Sequence, residues 1–112
     1  MQTVRGMVRA MRQEILAGDL PPGRARDVLV KLTALYGNCM DAEAKAGYDY
    51  AAVLLQCLEQ EKKANRAKIR AELTDEFRAK QDARNTRTLV EELIRSLKVW
   101  IKSQESEMRL VQ

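Results

Sequence analysis

Apolar residues recur at helical spacing over most of this chain, and the pattern is most regular in its last third. There they step alternately by four and three residues, the heptad pattern of a helix that keeps one seam toward a partner. Leu89, Leu93 and Trp100 widen this face, which favours contact with more than one neighbouring helix. No Gly or Pro follows Leu73, so we predict a helix over residues 75–110. The stripe assigned to core packing and self-association consists of Val90, Ile94, Leu97, Trp100, Ile101 and Met108.

An earlier stretch carries the same phase and predicts a first long arm over residues 24–73. Its seam continues across Gly37, which favours one continuous helix, although Gly37-Asn38 and Gly47 are points where that helix can bend. Beyond Leu58 the seam thins to small and polar residues. The seam positions are Leu29, Leu32, Tyr36, Cys39, Ala46, Tyr50, Val53 and Cys57, followed by Gln60, Ala64, Ala67 and Ala71.

The two arms meet at Leu73–Thr74–Asp75, where we place the turn of a helical hairpin. Thr74 is suited to cap the second arm, because its hydroxyl can accept a hydrogen bond from a free amide of the first helical turn. Asp75 and Glu76 then lie where the helix dipole favours negative charge. The turn therefore has its own local signal, independent of the heptad phase on each side.

A short amphipathic helix is predicted over residues 3–17, before the hairpin. Gly18 can take the left-handed conformation that ends a helix, and Pro21 and Pro22 cannot continue one. The connecting loop is too long and too rich in proline for the tight turn of a DNA-binding helix-turn-helix. We therefore expect the first helix to fold back and cover the apolar stripe of the hairpin.

These elements predict an all-α fold with a single helical domain over residues 1–112. Its architecture is a short N-terminal helix followed by a long antiparallel helical hairpin of coiled-coil type. The composition is rich in Ala and charged residues but has only 4% aromatic residues, so each helix contact buries little area. A two-helix hairpin of this kind is marginal alone, and we expect self-association into a homo-oligomer through the last helix and the Ala-rich seam.

The residue types exclude most enzymatic and metal chemistry. The chain has no His, and Cys39 and Cys57 are too far apart in sequence to form a zinc motif, so we expect them to be small buried side chains. No phosphate-binding loop, nucleophile elbow or inward Glu-x-x-His pattern is present. We predict no enzymatic activity and no cofactor. No signal peptide or membrane span is apparent, which leads to the expectation of a cytoplasmic protein without membrane partners.

Charge is unevenly distributed, and the most basic region surrounds the predicted turn. Residues 62–87 contain nine basic and four acidic side chains, whereas residues 32–61 contain one basic and five acidic ones. Basic clusters can neutralise phosphates, although most such runs are solvated helix faces. Phe77 is the only aromatic residue there and is expected to pack in the core, so binding would not depend on base sequence. The candidate nucleic-acid-binding residues are Lys62, Lys63, Arg66, Arg70, Arg78, Arg84 and Arg87.

Two segments carry a resemblance to a known group of proteins. The run Val90-Glu91-Glu92-Leu93-Ile94-Arg95-Ser96-Leu97-Lys98, with the ending Glu107-Met108-Arg109-Leu110, resembles small helical proteins that bacteriophages encode near their replication and recombination genes. The Ala-Glu-Ala-Lys-Ala run at 42–46, followed by a Tyr, is similar to them too. Some of these resemble recombination mediators of the T4 type, which are helical hairpins that form rings, bind single-stranded DNA and help load a recombinase. The resemblance covers residues 40–110 and implies a non-enzymatic, oligomeric accessory role, with a recombinase or single-strand-binding protein as a further partner.

Three functions follow from these observations as hypotheses. The first is sequence-independent binding of single-stranded DNA by an oligomer in phage recombination or replication, in the host cytoplasm. The second is a helical protein–protein interaction module, such as a scaffold, an assembly chaperone or a host-defence inhibitor, that holds a partner helix on its apolar stripe and does not bind nucleic acid. The third is an oligomer that binds a small anionic ligand in basic pockets between subunits.

Overall fold

The structure, a computed structural model, describes residues 4–18 and 20–111, with side chains at all of these except positions 4, 22 and 108–111. Over these residues it contains four α-helices and no strand, which confirms the all-α class. The helices are α1 (Val4–Leu16), α2 (Pro22–Gln60), α3 (Ala64–Glu72) and α4 (Asp75–Val111). The side chain of Met108, one of the predicted stripe residues, lies outside the described residues.

The chain forms two compact units that share the two long helices. Unit 1 comprises residues Met1–Gly37 and Thr88–Gln112, and unit 2 comprises Asn38–Arg87. The sequence pattern predicted one domain and gave no sign of this division. Both α2 and α4 contribute residues to each unit, so the chain crosses between units within helices and not through linkers.

In unit 1, α1 and the adjoining parts of α2 and α4 enclose an aliphatic core. Arg26 and Tyr36 of α2 contact Glu105 and Glu91 of α4 at 2.9 and 2.7 Å, so the residue earlier in α2 meets the one later in α4 and the two segments are antiparallel. The predicted covering of the stripe by the first helix is confirmed, since Ile15 of α1 lines a small cavity with Leu97 and Trp100. The buried core residues are Val8, Met11, Leu20, Ala25, Val28, Leu32, Leu35, Val90, Leu93 and Leu97.

The break between the first two helices lies where it was predicted, but the start of the second helix is shifted. Gly18 has φ +77°, the left-handed conformation expected at the end of α1, and its amide donates to the carbonyl of Ile15 at 3.2 Å. The second helix begins at Pro22, two residues before the predicted start at Arg24. Proline suits the first helical position, because its missing amide hydrogen would have no partner there and its φ is already helical.

In unit 2, three helical segments meet around a small cluster. Tyr50 and Cys57 of α2, with Ala67 and Ala71 of α3, are buried together, and Phe77 of α4 packs against them. The Phe77 and Tyr50 rings are 5.3 Å apart between centroids and tilted by 52°. Phe77 therefore has the packing role that was predicted for it.

The single first arm predicted over residues 24–73 is wrong beyond Gln60. The helix α2 is continuous through Gly37 and Gly47, as the heptad phase favoured, but it ends at Gln60, and Lys63 is extended (φ −111°, ψ 128°) before α3 begins. In a straight helix Tyr50 and Ala71 would be about 30 Å apart. Their burial in one cluster requires the chain to fold back, and this tertiary contact overrides the helix propensity of the segment.

The predicted turn is confirmed at Leu73 and Thr74. The amide of Phe77 donates to the Thr74 hydroxyl at 3.4 Å, the capping bond that the sequence led us to expect. The same hydroxyl donates to the carbonyl of Ala71 at 2.6 Å, and so links the end of α3 to the start of α4. Thr74 therefore supplies hydrogen bonds to two helix ends across a turn of two residues.

Candidate nucleic-acid interface

All seven basic residues selected from the sequence lie in unit 2, on three consecutive segments. Lys62 and Lys63 occupy the break between α2 and α3. Six of the seven side chains are exposed, and the seventh is half-buried. Unit 2 thus presents cations from the break, from α3 and from the first turns of α4. The exposed six are Lys62, Lys63, Arg66, Arg70, Arg78 and Arg84.

Two of these cations have an acidic neighbour. Arg70 lies 3.3 Å from Glu61, and Arg78 lies 4.0 Å from Asp75, one helical turn earlier in α4. Exposed pairs of this kind are worth roughly 0–1 kcal/mol and exchange readily for other partners. A phosphate oxygen could replace either carboxylate at little cost, so both arginines remain candidate phosphate ligands.

Arg87 differs from the other six because it is committed to an ion pair between helices. Its Nε donates to Glu43 of α2, and only 22% and 28% of the two side-chain surfaces are exposed. A phosphate would have to compete with a carboxylate already held in a partly desolvated site. We therefore assign Arg87 to the packing of α4 on α2 and leave it out of the interface.

Lys80, which sequence reasoning did not select, also has a structural role. Its ammonium lies 4.6 Å from the centroid of the buried Tyr50 ring, a cation–π contact. Burial, together with the nearby Glu72 and Cys57, raises the pKa of the Tyr50 phenol above its ordinary value of 10. The Tyr50 ring therefore belongs to the core of unit 2, and Lys80 packs against it.

The predicted stripe on the last helix serves the core of unit 1. Val90 and Leu97 are fully buried, and Ile94, Trp100 and Ile101 are half-buried. In unit 2, Ala67 and Ala71 of the Ala-rich seam are also fully buried inside the chain. These residues therefore already pack against other parts of the same chain. A second copy could contact only the surface that these intramolecular contacts leave exposed.

A second apolar face on α2 escaped the sequence analysis. It consists of exposed residues that step by four, four, three, four and three positions, and its four large side chains are 43–78% exposed. The apolar spacing of this face is visible in the sequence. It was overlooked because the heptad seam of the same helix has a similar length. We call this face the outer stripe: Met40, Ala44, Tyr48, Ala51, Leu55 and Leu58.

Unit 1 contains an open cavity of about 400 Å³ between α2 and α4. Tyr36 donates a hydrogen bond to Glu91 across one wall at 2.7 Å, and Arg95 and Lys98 lie on the same helix as Glu91. The carboxylate of Glu91 offsets part of the positive charge that an anionic ligand would need. The two cations therefore do not by themselves make this cavity a strong anion site.

Metal binding has no support in the part of the chain that the structure describes, where no three Cys, Asp or Glu side chains are grouped suitably. Cys39 and Cys57 are free and buried, as expected, and burial raises the pKa of the Cys39 thiol. Among the described residues, no helix is long and apolar enough to cross a membrane.

Comparison of the chain with models of protein families, with curated proteins and with solved structures found no match. Its function must therefore be inferred from the placement and chemistry of its own residues. The most distinctive features of unit 2 are the exposed cations around α3 and the outer stripe on α2.

Proposed function

We propose that this chain is a non-enzymatic accessory protein that binds single-stranded DNA without regard to sequence, through the exposed cations of unit 2. The observation that carries this proposal is that six of the seven predicted Lys and Arg side chains are exposed and lie on three successive segments of one compact unit. Because α3 folds back after Gln60, these segments belong to one small cluster of helices and not to one long rod.

Binding would be driven by contacts with phosphate. Each Lys or Arg that neutralises a phosphate releases a condensed counterion, so affinity falls as salt rises, with a slope of about 0.7 per contact for a single strand. Lys62, Lys63, Arg66 and Arg84 form no ion pair with another described residue, so their charge is available to the DNA. Arg70 and Arg78 would exchange weak pairs for phosphate.

Base stacking contributes little to the proposed mode. Phe77 packs against Tyr50 in the cluster of unit 2 and does not present its ring to a base. Recognition through the backbone alone is indifferent to sequence. A protein of this type suits a general role on single strands, and the resemblance to phage mediators leads us to place that role in recombination or replication, beside a recombinase or a single-strand-binding protein.

The experiment is a titration of fluorescent poly-dT at salt concentrations from about 50 to 200 mM, compared between two triple variants. The first replaces Arg66, Arg78 and Arg84 with Ala. The second replaces Arg95, Lys98 and Lys102 of unit 1 with Ala, and so removes the same charge from another exposed surface. We expect the salt slope of the first variant to fall by about two, at roughly 0.7 per contact, and that of the second to change little.

Either of two results would overturn the assignment. Equal losses in both variants would mean that net charge, and not the cations of unit 2, attracts the DNA. No binding by the folded wild-type protein at the lowest salt would remove DNA altogether.

A second candidate function is a helical protein–protein interaction module without nucleic-acid binding. The observation in its favour is the outer stripe, because an exposed apolar face of this regularity is typical of a helix that has a partner. This candidate would gain support from the absence of DNA binding in a protein that is folded and self-associates.

A further inference from the structure

The helix α2 is apolar on two faces within unit 2. One face, with Tyr50 and Cys57, is buried in the cluster of unit 2, and the outer stripe is exposed. A solvent-exposed helix normally carries one apolar face and one polar face. A second apolar face at heptad spacing indicates a second helical partner.

We propose that the outer stripe packs against the outer stripe of a second copy of this chain, with the two α2 helices antiparallel around a two-fold axis beside Ala51. This interface lies on a different helix face from the one predicted on α4. It does not depend on DNA binding, and the failure of one proposal would leave the other standing.

The side-chain sizes along the stripe fit this arrangement. With Ala51 facing Ala51 of the second copy, Tyr48 lies opposite Leu55 and Ala44 lies opposite Leu58. Tyr48, Leu55 and Leu58 then each face a side chain of suitable volume, while Met40 lies at the end of the seam. Three of the five layers contain Ala, which lets the helices approach closely. In a parallel pair, by contrast, Tyr48 would meet Tyr48 while Ala44 met Ala44, which leaves uneven gaps along the seam.

Two charges beside the stripe are complementary across the axis of the antiparallel arrangement. Asp41, Lys45 and Glu59 lie on one flank of the outer stripe and are exposed. In an antiparallel pair equivalent flanks meet, so Lys45 lies opposite Glu59 of the second copy, and the two-fold axis repeats the pair. In a parallel pair the two-fold axis would instead bring this flank against the opposite flank of the second copy, so Lys45 and Glu59 would not meet.

The area is sufficient for a modest dimer. The four large side chains of the stripe expose on the order of 500 Å², so a two-fold pair would bury at most roughly 1,000 Å², the size of a weak or transient interface. We therefore expect a dimer that forms only at higher protein concentration, and not an obligate assembly.

The first test is the mass of the full chain by sedimentation equilibrium over a range of protein concentrations, without DNA. We expect the wild type to shift from monomer to dimer, and Leu55→Gln to weaken the dimer at least tenfold. Leu55 is 58% exposed, so this change leaves the fold intact, as circular dichroism would verify. Val99→Gln is the matched control, because Val99 is 66% exposed on α4. A wild-type protein that stays monomeric, or equal effects of the two variants, would overturn the proposal.

A charge exchange tests the antiparallel orientation. Lys45→Glu and Glu59→Lys should each weaken the dimer, because like charges then meet twice across the axis, while the double variant restores the opposite pairing and should recover most of the wild-type affinity. Single variants that act additively in the double variant would exclude this register.

A cross-link tests the position of the axis. Ala51→Cys should form a disulfide between two copies under mild oxidation, whereas Ala79→Cys, at an exposed site on α4, should not. The unaltered chain, whose two cysteines are buried, controls for other disulfides. Failure of the Ala51→Cys dimer to cross-link would place the axis elsewhere.

Discussion

Arg87 of α4 and Glu43 of α2 form an ion pair within unit 2 in which 22% and 28% of the side-chain surfaces are exposed. A second Arg–Glu pair between the same two helices, Arg26 with Glu105 in unit 1, has 65% and 49% exposed. The two pairs share their chemistry and differ in burial, so they allow the effect of burial to be measured within one protein.

We predict that Glu43→Gln lowers the free energy of unfolding by about 1–2 kcal/mol, between the values typical of exposed and fully buried pairs. The cost arises because the Arg87 guanidinium keeps its partly desolvated site but loses its counter-charge. Glu105→Gln is the control and should cost less than about 0.5 kcal/mol. Urea denaturation gives both values. Equal losses in the two variants would mean that burial of the Arg87–Glu43 pair does not add to the free energy of unfolding.

We predict that Ala67→Leu destabilises the chain by about 1–3 kcal/mol. Ala67 is fully buried between α3 and the Tyr50–Cys57 region of α2, so extra methyl groups must push the helices apart. Ala64→Leu, on an exposed position of the same helix, should be nearly neutral. Thermal melts of the two variants make the comparison, and a neutral Ala67→Leu would show that α3 does not hold its buried position.

We predict that Leu97→Ala costs about 2–4 kcal/mol, because it leaves a cavity in the core of unit 1. Leu97 is fully buried, whereas Val99, two residues later on α4, is exposed. Val99→Ala should therefore change the unfolding free energy little. Similar losses in both variants would contradict the assignment of the α4 stripe to the core of unit 1.

The pair of Glu14 and Arg24 predicts an acid dependence of stability. A hydrogen bond from Arg24 at 2.7 Å lowers the pKa of Glu14 below its ordinary value of 4.5, an effect that Lys31 assists and that partial desolvation opposes. The folded state therefore holds the Glu14 proton less tightly than the unfolded state. This pair stabilises the fold above pH 4.5, and its contribution is lost as the pH falls through the lowered pKa.

Urea unfolding of wild type and Glu14→Gln between pH 7 and pH 3 measures this dependence. The difference between the two proteins should be constant near neutral pH and should shrink below about pH 4.5. A difference that stays the same at pH 3 would show that the ion pair does not shift the titration of Glu14.

Local signals in the sequence located several features of the fold. Gly18 ends α1 in the left-handed conformation, and Thr74 caps α4, because both functions depend on the geometry of a single turn. The heptad phase gave the course of α4 and the continuity of α2 through Gly37, because a helix face repeats every few residues whatever it contacts. The basic region of residues 62–87 could also be located from the sequence, because it needs only a count of charged residues.

The tertiary structure decided which of these residues are exposed and free to contact a ligand or a partner. No local rule ends α2 at Gln60, because the break follows from burial of Ala71 beside Tyr50, 21 positions away along the chain. Arg87 looked equivalent to Arg84 until Glu43 was found beside it. Likewise, α2 has two apolar faces in its sequence, and only the packing of distant segments determines which one is covered. Local propensity acts within a turn or two of helix, whereas burial depends on contacts between segments far apart in sequence. The sequence by itself therefore determined the helices except for the break after Gln60, and the tertiary structure determined that break and the free surfaces of the helices.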